Sequence, residues 1–147
     1  MKRFFQILLI IFLICGKTNA QYQVNYRSST SSSITVRSVG YANNAKKALV
    51  AAELSAFKAV LFQGVDNAVN QTALVPVTED EITKQHEAYF NNLFVERYKH
   101  FISASEVVQP FSKDMNKRKN MVVDVTIKLR ALREDLERNG IVRKFGF

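Results

Sequence analysis

Hydrophobic and polar positions divide the chain after residue 33 into six elements. Ile34-Thr35-Val36-Arg37-Ser38-Val39 alternates apolar and polar side chains, the period-two pattern of a half-buried strand, with Ile34, Val36 and Val39 marking it. Gly40 ends that strand, and Asn43-Asn44 supplies a cap for the next element. From Ala45 to Phe62, Ala45, Leu49, Ala52, Ala56, Ala59 and Val60 recur at helical steps, while Lys46, Lys47, Glu53 and Lys58 lie off the stripe. So small a buried face lets the helix axis lie close to a sheet. Gly64 stands where a left-handed cap residue is expected, and Asp66 to Val77 reads as a loop closed by Pro76.

Thr78-Glu79-Asp80-Glu81 has the form of a capping box, with acids where the helix dipole favours them. It predicts a second helix from about Glu79 to about Tyr98, one face of which carries Ile82, Phe90, Leu93, Phe94, Arg97 and Phe101. Residues 101–108 change to a β-like pattern through Ile102, Ala104, Val107 and Val108, and Pro110 interrupts it. A charged turn over Lys113 to Asn120 leads into Met121 to Leu129. There Met121, Val123, Val125, Ile127 and Leu129 alternate with Val122, Asp124, Thr126 and Lys128, a hairpin partner for the preceding strand. A short helix over Ala131 to Arg138 buries Leu132 and Leu136 and stops at Asn139-Gly140.

The order β-α-α-β-β-α, with strands apolar on one side, predicts an α+β fold: an antiparallel sheet of about three strands with helices on one face. Residues 34–147 form a single domain on this reading. Residues 21–33, rich in serine, form a flexible leader.

The amino terminus changes the picture. Lys2 and Arg3 precede the apolar run Phe4 to Cys15, and Thr18-Asn19-Ala20 offers small residues for a signal peptidase. Residues 1–20 are thus expected to be a cleaved secretion signal, placing the protein in the periplasm, at the outer membrane or outside the cell. A spanning anchor needs about 20 predominantly apolar residues; this run is shorter and meets Gly16-Lys17 at once. Cys15 is a candidate lipid carrier, but Ile14 before it is not the small residue such processing favours. With Cys15 removed, the mature chain has no thiol for a disulfide or a nucleophile.

Cleavage also removes three of the 21 basic residues, leaving 18 against 13 acids and a net charge near +5 instead of +8. That excess suits anionic surfaces or acidic partners, and export argues against nucleic acid. No constellation for catalysis emerges. His86 and His100 are fourteen residues apart, about 20 Å along a helix axis, too far to share a metal. Glu79, Asp80 and Glu81 suit a helix start; Asp124 belongs to the polar side of its strand; Glu134, Asp135 and Glu137 alternate with arginines as on a solvated helix. No Gly-rich phosphate loop or nucleophile elbow is present. The reading therefore expects no catalytic, cofactor-binding or metal-binding residues.

Two features could bind a partner. Lys113, Lys117, Arg118 and Lys119 place four cations at one hairpin tip, and Arg143-Lys144-Phe145-Gly146-Phe147 sets aromatics beside cations at the end of the chain. Val39-Gly40-Tyr41 followed by Ala45, Ala48, Ala51-Ala52, Ala56 and Ala59 resembles the amino-terminal domain of flagellar T-ring assembly proteins and the small envelope lipoproteins grouped with it. The resemblance covers about Ile34 to Gly64. It implies an α+β module for binding or assembly in the bacterial envelope, with no catalytic residues to carry over; from the charge and the two basic features, an envelope protein or an anionic membrane surface is the expected partner. Alternatives are a subunit that oligomerises through the phenylalanine-rich helix and a small hydrolase or transferase using Asp124 or His86.

Overall fold

A computed structural model of the chain describes residues 22–66, 68 and 72–143. The proposed signal, and Lys144, Phe145 and Phe147 of the tail, lie outside the described residues.

Among the described residues the sheet has four antiparallel strands in spatial order β1-β2-β4-β3. They are β1 (Val24–Ser29), β2 (Ile34–Tyr41), β3 (Ile102–Lys113) and β4 (Lys119–Ile127). The helices are α1 (Ala45–Lys58), α2 (Glu79–Gln85), α3 (Glu87–Val95) and α4 (Leu129–Arg138). A π-helical turn, Ala59–Gln63, continues α1, and a 3-10 turn, Arg97–Phe101, joins α3 to β3. The α+β class and the β3–β4 hairpin agree with the sequence pattern. The count of three strands does not, because the serine-rich leader supplies a fourth.

β1 forms because Val24 and Tyr26 take the inward side of an edge strand, paired with Ser38 and Val36 of β2. Thr30, Ser32 and Ser33 then close the β1–β2 turn: Thr30 N donates to the Ser33 carbonyl, and the Thr30 hydroxyl accepts from the Ser32 and Ser33 amides. Of the serines that read as a flexible leader, Ser28 and Ser29 belong to β1, and Ser32 and Ser33 to the turn. Tyr22 is also held, since its amide donates to Gln63 Oε1 (2.9 Å) and its carbonyl accepts from Gln63 Nε2 (3.2 Å).

The central pair β2–β4 buries one side only. Ile34, Val36, Ser38 and Gly40 of β2 and Met121, Val123, Val125 and Ile127 of β4 face the helices. Val39 lies on the opposite side, where Val122 is its partner. The strand keeps strict alternation by burying Ser38 and Gly40, two positions that hydropathy alone assigns elsewhere.

α1 covers this side with Ala48, Ala52, Ala56 and Phe57; Ala45 is exposed. Asn44 caps it, its side chain accepting from the Lys47 amide (2.9 Å). Gly64 ends the π turn at φ 79°, a positive value that suits glycine. Gly140 does the same after α4, at φ 69°.

The single helix predicted over Glu79 to Tyr98 is two helices and a 3-10 turn. His86, at φ −129° and ψ 45°, separates α2 from α3, and Glu96, at φ −130°, ends α3. Ile82 of α2, Phe90 and Leu93 of α3, and Tyr98 and Phe101 of the 3-10 turn are all buried in the core. Thr78 is the N-cap residue of α2, yet its side chain makes no capping bond. Phe57 packs on Tyr98 and Phe101 with ring centroids 6.1 and 6.2 Å apart, and Phe62 packs on Phe90 at 5.9 Å.

β3 runs through Pro110, which does not end it. As an edge strand β3 tolerates a residue without an amide hydrogen, and register shifts between Val107 and Gln109 and between Gln109 and Ser112 absorb the irregularity.

Candidate functional site

The hairpin turn from Asp114 to Arg118 is built around one carboxylate. Asp114 Oδ1 accepts from the backbone amides of Asn116 and Arg118 (both 2.9 Å), and Oδ2 accepts from Arg118 Nε (3.1 Å). The Asp114 amide donates to the Arg118 carbonyl and the Lys117 amide to the Asp114 carbonyl. Partial burial alone raises the Asp114 carboxyl; the bonds from Arg118 and Asn116 outweigh it and hold the group below the usual carboxylate range. Lys117 adopts φ 62°, so the turn contains a left-handed residue. Backbone and side-chain bonds together fix its shape.

This turn projects beyond the end of β2. Tyr41 pairs with Asn120, the Ala42 amide donates to the Lys119 carbonyl (3.3 Å), and Lys113 pairs with Lys119 one step further out. The Arg118 guanidinium lies over the Tyr41 ring, 4.5 Å from its centroid, and donates to the Tyr41 hydroxyl (3.3 Å). α1 starts at the same end, four residues after Tyr41, with Lys46 and Lys47 exposed in its first turn.

The predicted tip residues Lys113, Lys117, Arg118 and Lys119 are thus brought together, all exposed. Lys46 and Lys47 join them, a contribution that the sequence pattern places only on the polar side of a helix. Their spacing from Gly40 is the available signal: the first turn of a helix that folds back onto the strand before it lies beside that strand's end. Met115, at the crest of the turn, is fully exposed (102 %). Arg143 is exposed.

The sheet face turned away from the helices carries an internally paired polar cluster beside Val39 and Val122. Arg37 Nε and Nη2 donate to the two oxygens of Asp124 at 2.7 and 2.8 Å, and Arg27 Nε stands 3.8 Å from Asp124. The bonds from Arg37, against an opposing contribution from burial, hold the Asp124 carboxyl well below its ordinary value. Asp124 does not simply face water. Thr35 and Thr126 share a hydrogen bond beside this pair (2.9 Å).

A buried carboxylate lies between helices. Asp135 accepts from the Tyr89 hydroxyl (2.8 Å) and from Arg97 Nη2 (2.6 Å), so a residue of the supposedly solvated helix is 6 % exposed. His86 occupies the α2–α3 break, half-buried, and the His100 carbonyl accepts from Lys128 Nζ (3.0 Å). Among the described residues no three His, Cys, Asp or Glu side chains converge as a metal site.

No family model, curated protein or solved structure matches this chain. Among the described residues no helix is long and apolar enough to cross a membrane.

Proposed function

We propose that this protein is an exported, non-catalytic module that binds an anionic component of the bacterial envelope through its basic end. The observation that carries the reading is the gathering of Lys46, Lys47, Lys113, Lys117, Arg118 and Lys119 around one end. The acid within that turn, Asp114, is consumed by the turn's own amides and by Arg118. With six cations against the one carboxylate of Asp114, this end has a net positive charge, which attracts polyanions and loses that attraction as salt rises. The export signal read in residues 1–20 puts the module in the periplasm or at the outer membrane. The resemblance to T-ring assembly domains, carried by Val39-Gly40-Tyr41 and the alanine helix, favours a binding or assembly role.

The two alternatives have less behind them. Phe90 and Phe101 point into the core and Phe94 is half-buried under Lys58, so the phenylalanine-rich segment offers little surface for self-association. Asp124 is neutralised by two arginines, which suits neither a general base poised near neutral pH nor a nucleophile.

The test is co-sedimentation of purified protein with isolated envelopes over a salt series. Wild-type protein should sediment at low salt and release as salt rises, and Lys117/Arg118/Lys119→Ala should remain in the supernatant. Equal sedimentation of the two refutes the reading. Mass spectrometry of the amino terminus after export checks for Gln21 as the first residue; an intact Met1 would refute cleavage.

A further inference from the structure

We infer that the partner of the basic end is an anionic lipid bilayer, which the hairpin enters with Met115 while the surrounding cations hold the headgroups; the inference rests on the function proposed above and names its surface. Three observations converge on it.

The first is the placement of Met115. A fully exposed apolar side chain at the crest of a turn contributes nothing to the fold. The turn that carries it is held by the Asp114 carboxylate and by the backbone bonds between Asp114, Lys117 and Arg118. A rigid turn gives up little freedom when its side chain is buried elsewhere. Methionine, flexible and polarizable, suits the irregular boundary between headgroups and acyl chains.

The second is the position of the cations. Lys113 stands opposite Lys119 in the β3–β4 register, where like charges repel. Lys46 and Lys47 occupy the first turn of α1, which has no acid, at the end where the helix dipole disfavours positive charge. Both arrangements work against the stability of the free protein, and an anionic surface reverses the sign of each. Long lysine stems reach from headgroup level past an inserted apolar residue, so the geometry of Met115 and its neighbours is that of a shallow anchor.

The third is size. A specific protein interface takes about 800 Å² from each partner, usually around buried aromatic anchors. The turn from Asp114 to Arg118 is five residues long, and Met115 is its one apolar side chain; the aromatic beside it, Tyr41, is already covered by the Arg118 guanidinium. A bilayer needs only one apolar insertion and several charges, each cation near the surface strengthening binding about fivefold.

The experiment uses protein recovered from an exporting host, so that every variant carries the same amino terminus. Binding is measured by flotation with vesicles of equimolar phosphatidylglycerol and phosphatidylcholine and with vesicles of phosphatidylcholine alone. Wild-type protein should bind the anionic vesicles and weaken with salt. Met115→Ser should bind about tenfold less, the loss expected from one buried methionine. Lys46→Ala/Lys47→Ala should bind at least tenfold less while its melting temperature stays the same or rises, a combination that a structural role for these lysines excludes. Equal binding to both vesicle types, or no effect of Met115→Ser, overturns the bilayer. If Met115→Ser sediments with envelopes like wild-type protein while Lys117/Arg118/Lys119→Ala does not, the partner is an acidic macromolecule, and the function proposed above stands without the lipid. If the basic variants sediment like wild-type protein, both fall.

Discussion

A β-carbon built on Gly40 would stand 1.9 Å from the carbonyl oxygen of Ala48 and 2.5 Å from the amide nitrogen of Ala52. Those atoms are helix backbone, which cannot swing aside as a side chain can. Gly40 is not at positive φ, so an alanine there meets no conformational strain of its own; the obstacle is the helix. Gly40→Ala must lift α1 from β2 and open contacts at Ala48 and Ala52. Over-packing a core ordinarily costs about 1–3 kcal/mol, and Gly40→Ala should reach or exceed the top of that range in urea denaturation. A loss below the bottom of the range would show that α1 shifts freely.

Ser38 has the opposite problem. Its side chain is fully buried beneath α1, and its Oγ has no hydrogen-bond partner among the described residues. A buried hydroxyl without a partner forfeits its hydration. Ser38→Ala removes it with almost no change of volume and should raise stability by about 1 kcal/mol. A fall in the denaturation midpoint would mean that the hydroxyl finds a partner, water included.

These two positions also show why part of the fold could not be read from hydropathy. Ile34 and Val36 announce the buried side of β2, but the alternation continues through a serine and a glycine whose small size is what the site requires. Val39, an apolar residue on the other side, then misleads the phase. Volume decides there, and hydropathy is silent about volume. The serine-rich segment misleads for a related reason: Val24 and Tyr26 are too few to signal a strand alone, and β1 exists because β2 offers an edge. The helix after Thr78 is legible as helical, but its break at His86 is not, because the spacing of Ile82, Phe90 and Leu93 fits one uninterrupted face. The basic hairpin tip is legible because its cations are close together in the chain. The contribution of Lys46 and Lys47 is not, because only the return of α1 over β2 brings the two stretches to one end.

Asp135 should be the most sensitive carboxylate in the molecule. It accepts from Tyr89 and Arg97 while nearly excluded from water, tying α4 to α3 and the 3-10 turn after it. Asp135→Ala leaves Arg97 without its partner and should lower stability by about 3 kcal/mol. Tyr89→Phe removes a single hydrogen bond and should cost about 1 kcal/mol. If the two prove strictly additive in a double-mutant cycle, the cluster is no unit and the assignment fails.

On the open sheet face, Asp124 predicts an acid response. The folded carboxyl titrates below its ordinary value of about 3.9 because Arg37 bonds to its charged form. The stability this contributes is full above the unfolded value and is lost as pH falls toward the folded one. Asp124→Asn should therefore be less stable than wild-type protein at neutral pH, and the gap should close on acidification below about pH 4. A gap that stays constant down to about pH 2 would show that the Arg37 pair contributes no charge-linked stability.

At high pH the direction reverses and tyrosines govern. Burial, with hydrogen bonds to Asp135 and Glu79, pushes the Tyr89 and Tyr22 hydroxyls far up, and burial near Glu53 pushes Tyr98 up to about 12. Each group keeps its proton more tightly folded than unfolded. Their contribution is complete below the unfolded tyrosine value of about 10 and drains away as pH rises past it. Heating monitored by circular dichroism should give melting temperatures that fall steeply above about pH 10. Tyr22→Phe, which retains the ring but has no proton to lose, should flatten that fall relative to wild-type protein. Tyrosinate absorbance that develops fully while the circular dichroism remains native would show that these hydroxyls are open to solvent, and would remove the cause assigned to the alkaline limb.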